Sequence, residues 1–303
     1  MLETDFFSSL LLPIVLGLIM LGMGLSLTRN DFKYIFLFPK GILTGLFSQM
    51  VFLPVLGFLI AWISGLPEYL MVGLILVAAC PGGATSGLIV HLTGGNVAMS
   101  VSFTAINSFL TMLSIPFIVN LALYFFTGTQ APIEISFADT MVHVLLITVI
   151  PCIIGIAIRD RYPITAHNLE RPLKIIMPIM LAVAMIGAIF LEKKKYVIPS
   201  DSYATILPFA LMLNIGGLFG GYWIARLMKL GVRNRLTVGV EVGLQNTAMA
   251  ISIATAPALL NDTHYAVPAA VYALFSFFTA ILFALWVRRK SLRALLKRKG
   301  FIR

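Results

Sequence analysis

Val238-Gly-Val-Glu-Val-Gly-Leu-Gln-Asn-Thr247 sets a carboxylate and two amides inside an otherwise apolar run, and the reading of that run decides the fold. The stretch containing it, roughly 234–259, exceeds the ~20 residues a helix needs to cross a bilayer. An ionised carboxylate at mid-membrane costs several kcal/mol unless it is paired, so Glu241 is expected to carry function. A snorkelling or protonated structural glutamate is the plainer alternative. Gln245 and Asn246 follow closely, and three costly groups in one span are hard to explain by packing alone.

A second anomaly, Cys80-Pro-Gly-Gly-Ala-Thr-Ser-Gly87, lies near the middle of the apolar run 68–92. Proline and paired glycines interrupt helical hydrogen bonding. A simple kink would account for this motif taken alone. Beside the Glu241 segment a broken helix is the better reading, because open backbone at membrane depth is tolerated only where it is buried in protein or lines a cavity.

Working outward, nine apolar runs emerge: 9–27, 39–64, 68–92, 96–126, 138–158, 173–191, 204–228, 234–259 and 265–287. Pro116 predicts a kink in the fourth. Of the 303 residues, 59% are hydrophobic and 11% charged, where a soluble domain carries about a quarter charged. The alternation of an outer-membrane barrel is absent, which leaves a helix bundle as the way to satisfy backbone in lipid. The expected fold is an all-α membrane protein of nine transmembrane helices, one domain over 1–303. Residues 1–7 carry Glu3 and Asp5 but no basic residue, which argues against a secretory signal peptide. Cys80 and Cys152 lie in apolar runs and suggest neither a disulfide framework nor a metal site.

The net charge of +10 raises nucleic acid as a partner, but the placement of charge argues against it. With the N-terminus outside, every lysine and arginine except Lys193, Lys194 and Lys195 falls in an inside loop or the C-terminal tail. That asymmetry predicts a bacterial inner-membrane protein with its N-terminus out and C-terminus in, which an odd number of spans satisfies. The basic tail from Arg288 onward then reads as a topology determinant at an anionic leaflet.

Spans one to four overlay in order on spans six to nine with opposite orientation, so the two interrupted spans occupy matching places. That is the sequence pointer to an inverted-repeat transporter with binding at the crossing of its broken helices. A hard cation there wants oxygen ligands, which freed carbonyls, Glu241, Gln245 and nearby hydroxyls can supply. The N-terminal ends of the second half-helices, near Ala84–Thr85 and Asn246–Thr247, suit a carboxylate or another anion. Ser100 and Thr104 share a helical face in span four, although such hydroxyls often only bond the preceding turn. His91 and His143 read as interfacial or packing residues, and Gly216-Gly-Leu-Phe-Gly-Gly221 as a packing seam inside the bundle.

Four segments, Met23-Gly-Leu-Ser-Leu27, Cys80-Pro-Gly-Gly83, Gly95-Asn-Val-Ala-Met-Ser100 and Glu241-Val-Gly-Leu-Gln-Asn246, together resemble the bile acid:sodium symporter family over nearly the whole chain. The resemblance implies a core and a panel subdomain and two sodium sites under the helix crossing. The first would use Ser86, Ser100, Thr104 and Glu241. The second would use Gln49, Glu241, the backbone of Val242 and Leu244, and Gln245. Gly87 stands where the family usually has asparagine, which weakens the first site and leaves one or two ions open. Ser276-Phe277 stands where some bacterial relatives have a His-Asn pair, so a bile acid is not assumed as substrate.

The expected function is therefore sodium-coupled import of a small organic anion by a monomer, without an organic cofactor. Proton-coupled uptake or an anion efflux permease is the alternative within transport. An intramembrane enzyme lacks a nucleophile–base pair in the sequence, and a receptor lacks an output domain.

Overall fold

The computed structural model describes residues 12–26, 37–128, 150–169, five positions between 172 and 180, and residues 201–255, 260 and 262–298. Among these residues the chain is helical, without a strand. Helix α1 is Leu12–Ser26, α2 Pro39–Phe47 and α3 Leu53–Ser64, the last two joined by a π-helical turn at Ser48–Phe52. Then come α4 (Glu68–Ala79), α5 (Ala84–Thr93), α6 (Val97–Thr127) and α7 (Ile150–Arg161). The remainder comprises α8 (Asp201–Leu227), α9 (Val232–Gly243), α10 (Thr247–Thr255), a 3-10 turn at Thr263–Ala266 and α11 (Val267–Arg298).

Among the described residues, three continuous helical stretches, Pro39–Ser64, Asp201–Leu227 and Thr263–Arg289, are long and apolar enough to cross a membrane. Helix α6 makes a fourth as a bent pair, turning by 54° between Thr111 and Leu113. Pro116 explains the position of that bend: it cannot donate to the Met112 carbonyl, and its ring pushes that carbonyl aside. Pro54 acts similarly on the second span. With no N–H to offer the preceding turn, the ladder widens and Leu53 donates to Ser48 five residues back.

The expected interruptions are both present. Helices α4 and α5 part at Cys80–Gly83, and α9 and α10 part at 244–246. The last apolar stretch, Thr263–Arg289, matches the expected run 265–287, and its helix continues to Arg298 because the Leu, Ala, Lys and Arg that follow are good helix formers. The expected span 138–158 is described only from Ile150, and most of 173–191 lies outside the described residues, as do 256–259.

The distribution of polarity is inverted relative to a soluble protein. Gln49, Ser86, Ser100, Asn214 and Glu241 are buried, whereas Trp62, Leu274, Phe278 and Leu282 are each more than half exposed. An apolar exterior that leaves these polar groups inside suits hydrocarbon as solvent. Glycines let the spans approach closely. Gly217 and Gly221 of α8 lie against the Val242 and Val238 carbonyls of α9, so the glycine motif is an internal seam.

Candidate functional site

The two interruptions meet. The Gly83 N–H donates to the Leu244 carbonyl at 2.8 Å, and the Asn246 N–H donates to the Pro81 carbonyl at 2.8 Å. Gly82 and Gln245 thus form an isolated antiparallel bridge, a scrap of β-pairing inside a helical protein. It follows from Pro81 and the glycines, which leave backbone groups without helical partners, so those of one break satisfy those of the other.

Glu241, in the last turn of α9, lies immediately beneath this crossing and is fully buried. Its Oε2 accepts from Ser86 Oγ at 2.9 Å and from Thr104 Oγ1 at 2.8 Å, and its Oε1 accepts from Ser100 Oγ. Three elements therefore converge: Ser86 from the first turn of α5, Ser100 and Thr104 from one face of α6, and Glu241 from α9. Ser86 Oγ also lies 2.7 Å from the Gly83 carbonyl, so one hydroxyl proton faces two acceptors. A Cβ on Gly82 would come within 2.9 Å of Glu241 Oε2, so only glycine fits there without displacing the carboxylate.

At the crossing itself, Gln49 and Gln245 pair through their amides. Gln49 Nε2 donates to Gln245 Oε1 at 2.9 Å and to the Cys80 carbonyl at 2.8 Å. Gln245 Nε2 donates to the Val242 carbonyl at 2.6 Å. Gln49 reaches this position from the π-helical turn that Pro54 imposes. The Leu244 carbonyl, as noted, is taken by Gly83.

The half-helix ends are less open than the sequence suggests. Asn246 caps α10, its Oδ1 accepting the Met249 N–H at 3.0 Å, and the Thr247 N–H donates to the Gln245 carbonyl at 3.0 Å. Ala84 and Thr85 open α5, whose Ser86 N–H is bonded back to Gly83. Gly87 follows on α5; a Cβ there would meet nothing nearer than Ser100 Oγ at 3.8 Å, so the position has room for a longer side chain.

Some residues that shape the site went unnoticed in the sequence. Tyr272 Oη and Asn214 Nδ2 donate to the Gly243 carbonyl at 2.7 and 2.8 Å, and Thr279 Oγ1 donates to Asn214 Oδ1 at 2.5 Å. This network from α8 and α11 holds the final carbonyl of α9 in place. The available signal was Asn214 itself, an amide in the middle of an apolar run. Asn107, on α6 one turn beyond Thr104, is buried with neither amide atom bonded.

Comparison with known proteins gives the family of the chain. The model of the sodium bile acid symporter family matches residues 13–200. The chain is 28% identical over 268 residues to "Probable sodium/metabolite cotransporter BASS1, chloroplastic" of Oryza sativa subsp. japonica, covering 88% of this chain and 63% of that protein. It is 28% identical over 267 residues to "Uncharacterized sodium-dependent transporter YocS" of Bacillus subtilis (strain 168), covering 87% and 78%. It is 30% identical over 219 residues to the human "P3 protein", covering 71% of this chain and 44% of that one. The chain thus spans less than two thirds of the length of the rice and human proteins. The family and the relatives named as cotransporters are transporters, not enzymes. With a family match over more than half its length, the chain belongs to the sodium bile acid symporter family.

Proposed function

We propose that this chain is a sodium-coupled symporter that imports a small organic anion across the bacterial inner membrane by alternating access. The observation that carries the reading is Glu241: a fully buried carboxylate, approached by three hydroxyls and, among the described residues, by no cation of the protein. A sodium ion supplies the missing charge. Its preference for oxygen matches the donor set of Ser86, Ser100, Thr104 and Glu241. On binding, the hydroxyls turn their lone pairs inward, and the single Ser86 proton is left to the Gly83 carbonyl. The second site is formed by Gln49, Glu241, Gln245 and the carbonyls of Val242 and Leu244. There the Gln245 amide must turn so that its oxygen faces the ion. The names "sodium/metabolite cotransporter" and "sodium-dependent transporter" among the relatives support the choice of ion.

In this reading the chain is one monomeric domain of nine spans, N-terminus out and C-terminus in, with spans one to four repeated in inverted form by six to nine. Sodium neutralises Glu241 and fixes the crossing, and the substrate anion binds at the half-helix starts, Ala84–Thr85 and Asn246–Thr247. There the helix dipoles are positive and the freshly neutralised crossing no longer repels it. Ion and anion stabilise each other's binding reciprocally, and that coupling free energy drives uptake against a gradient. The test is the thermal stability of purified protein with a panel of small organic acids and bile salts, in sodium and in choline. A rise produced by an anion only when sodium is present is expected. If no anion raises the melting temperature more in sodium than in choline at any pH, the coupling is to protons or the chain is an efflux permease.

A further inference from the structure

Away from the crossing, the structure contains a cavity of about 770 Å³ where α8 ends, α9 begins and α11 passes the C-terminus of α5. Its wall carries Arg226, Arg233, Arg288 and Arg289 together with the rings of Trp223 and Trp286, and no carboxylate. Four positive charges in one concavity repel one another, and among the described residues no acid neutralises them. Two of the guanidiniums are held by ring faces: Arg226 lies 4.4 Å from the centre of the Trp223 ring, and Arg289 lies 5.4 Å from that of Trp286. A ring holds the plane of a guanidinium and leaves its N–H edge open, the geometry that takes a phosphate or carboxylate oxygen. A third, Arg288, donates to the Thr93 carbonyl at 2.6 Å and closes over Gly94, whose φ of 70° admits no side chain easily. This contact ties the cavity to the helix end of α5.

We propose that this cavity binds the phosphate of an anionic phospholipid head group. The chemistry shared with free phosphate is the oxyanion; the surroundings favour the lipid. Trp223, Leu227, Val232, Leu285 and Trp286 are exposed around the arginines, an apolar rim where acyl chains lie. Tryptophan beside arginine near the ends of two apolar stretches is the composition of a bilayer interface, and basic pockets between membrane helices hold anionic head groups. The proposal requires only that the chain lies in a bilayer; it does not depend on sodium coupling.

The test uses the full chain, purified in detergent, stripped of lipid and titrated with phosphatidylglycerol, phosphatidylcholine or sodium phosphate while its melting temperature is followed. Phosphatidylglycerol is expected to stabilise at low concentration, and the other two are not. The variant R226Q/R289Q should bind phosphatidylglycerol about 30-fold more weakly, from about a fivefold loss per arginine. The variant R159Q/R161Q, with the same change in charge elsewhere, should keep wild-type affinity. Equal losses in the two variants would reduce the effect to general attraction and overturn the site. Stabilisation by sodium phosphate equal to that by phosphatidylglycerol would overturn the lipid. If R226Q/R289Q does not fold, native mass spectrometry of the wild type decides: retention of phosphatidylglycerol no better than phosphatidylcholine overturns the proposal.

Discussion

Glu241 is the residue on which the site turns, and its three hydroxyl partners specify what should follow from changing it. Glu241→Gln keeps the shape and removes the charge. It should abolish sodium-dependent stabilisation while the protein still purifies as a monodisperse species, read by melting in sodium against choline. Gly82→Ala presses a methyl group on the same carboxylate. It should weaken sodium binding more than tenfold, an effect of more than ~1.4 kcal/mol, with a smaller loss of stability. Gly87→Asn restores a side-chain oxygen where there is space for one. It should tighten sodium binding several-fold in the same titration, and unchanged affinity would remove position 87 from the first site. At this scale the sequence was informative wherever a polar group stood alone in an apolar run. Glu241, Gln245 and the serine–threonine face of α6 were visible in that way. The residues alone could not reveal that Ser86 reaches Glu241 or that Gln49 reaches Gln245, because that depends on how the breaks cross; only the family resemblance pointed to both.

At the scale of elements, α8 and α9 act as a pair. Their glycines bring the Val242 carbonyl within 2.9 Å of where a Cβ on Gly217 would stand. Gly217→Ala should therefore lower stability by about 1–3 kcal/mol through overpacking. It should weaken sodium binding as well, because Val242 is one of the proposed ligands; equilibrium denaturation and sodium titration measure the two effects separately. Tyr272→Phe removes one of the donors that hold the end of α9. A cost of about 0.5–1.5 kcal/mol is expected from the lost hydrogen bond, because Asn214 still donates to the Gly243 carbonyl. Prolines made part of the element-level architecture legible: Pro81 marks the break and Pro116 the bend, whereas the wide turn at Ser48–Phe52 that Pro54 imposes was not expected. The glycine seam was also legible, since small residues four apart have few other uses in an apolar helix. Helix α11 continues beyond the apolar run 265–287, because a change from apolar to basic residues ends the run and not the helix.

For the whole molecule, orientation is the sharpest question, and it rests on the uneven placement of basic residues. Glu68 and Gly231 are both exposed and fall at opposite ends of the bundle in the proposed topology. In intact cells, a membrane-impermeant thiol reagent should label a cysteine at Glu68→Cys and miss one at Gly231→Cys; opened membranes should give both. The reverse pattern would overturn the proposed orientation. Cys80 and Cys152 are buried, so the background from native thiols should be low.

The bridge between Gly83 and Leu244, with its partner between Asn246 and Pro81, is made of main-chain atoms alone. Its strength therefore depends little on side-chain identity, provided the glycines and the proline stay. A lineage can exchange the groups that surround the crossing, and so change its cargo, without redesigning the joint that brings them together. Chemistry and architecture are inherited here as separable traits, which makes such a scaffold easy to diversify and hard to break.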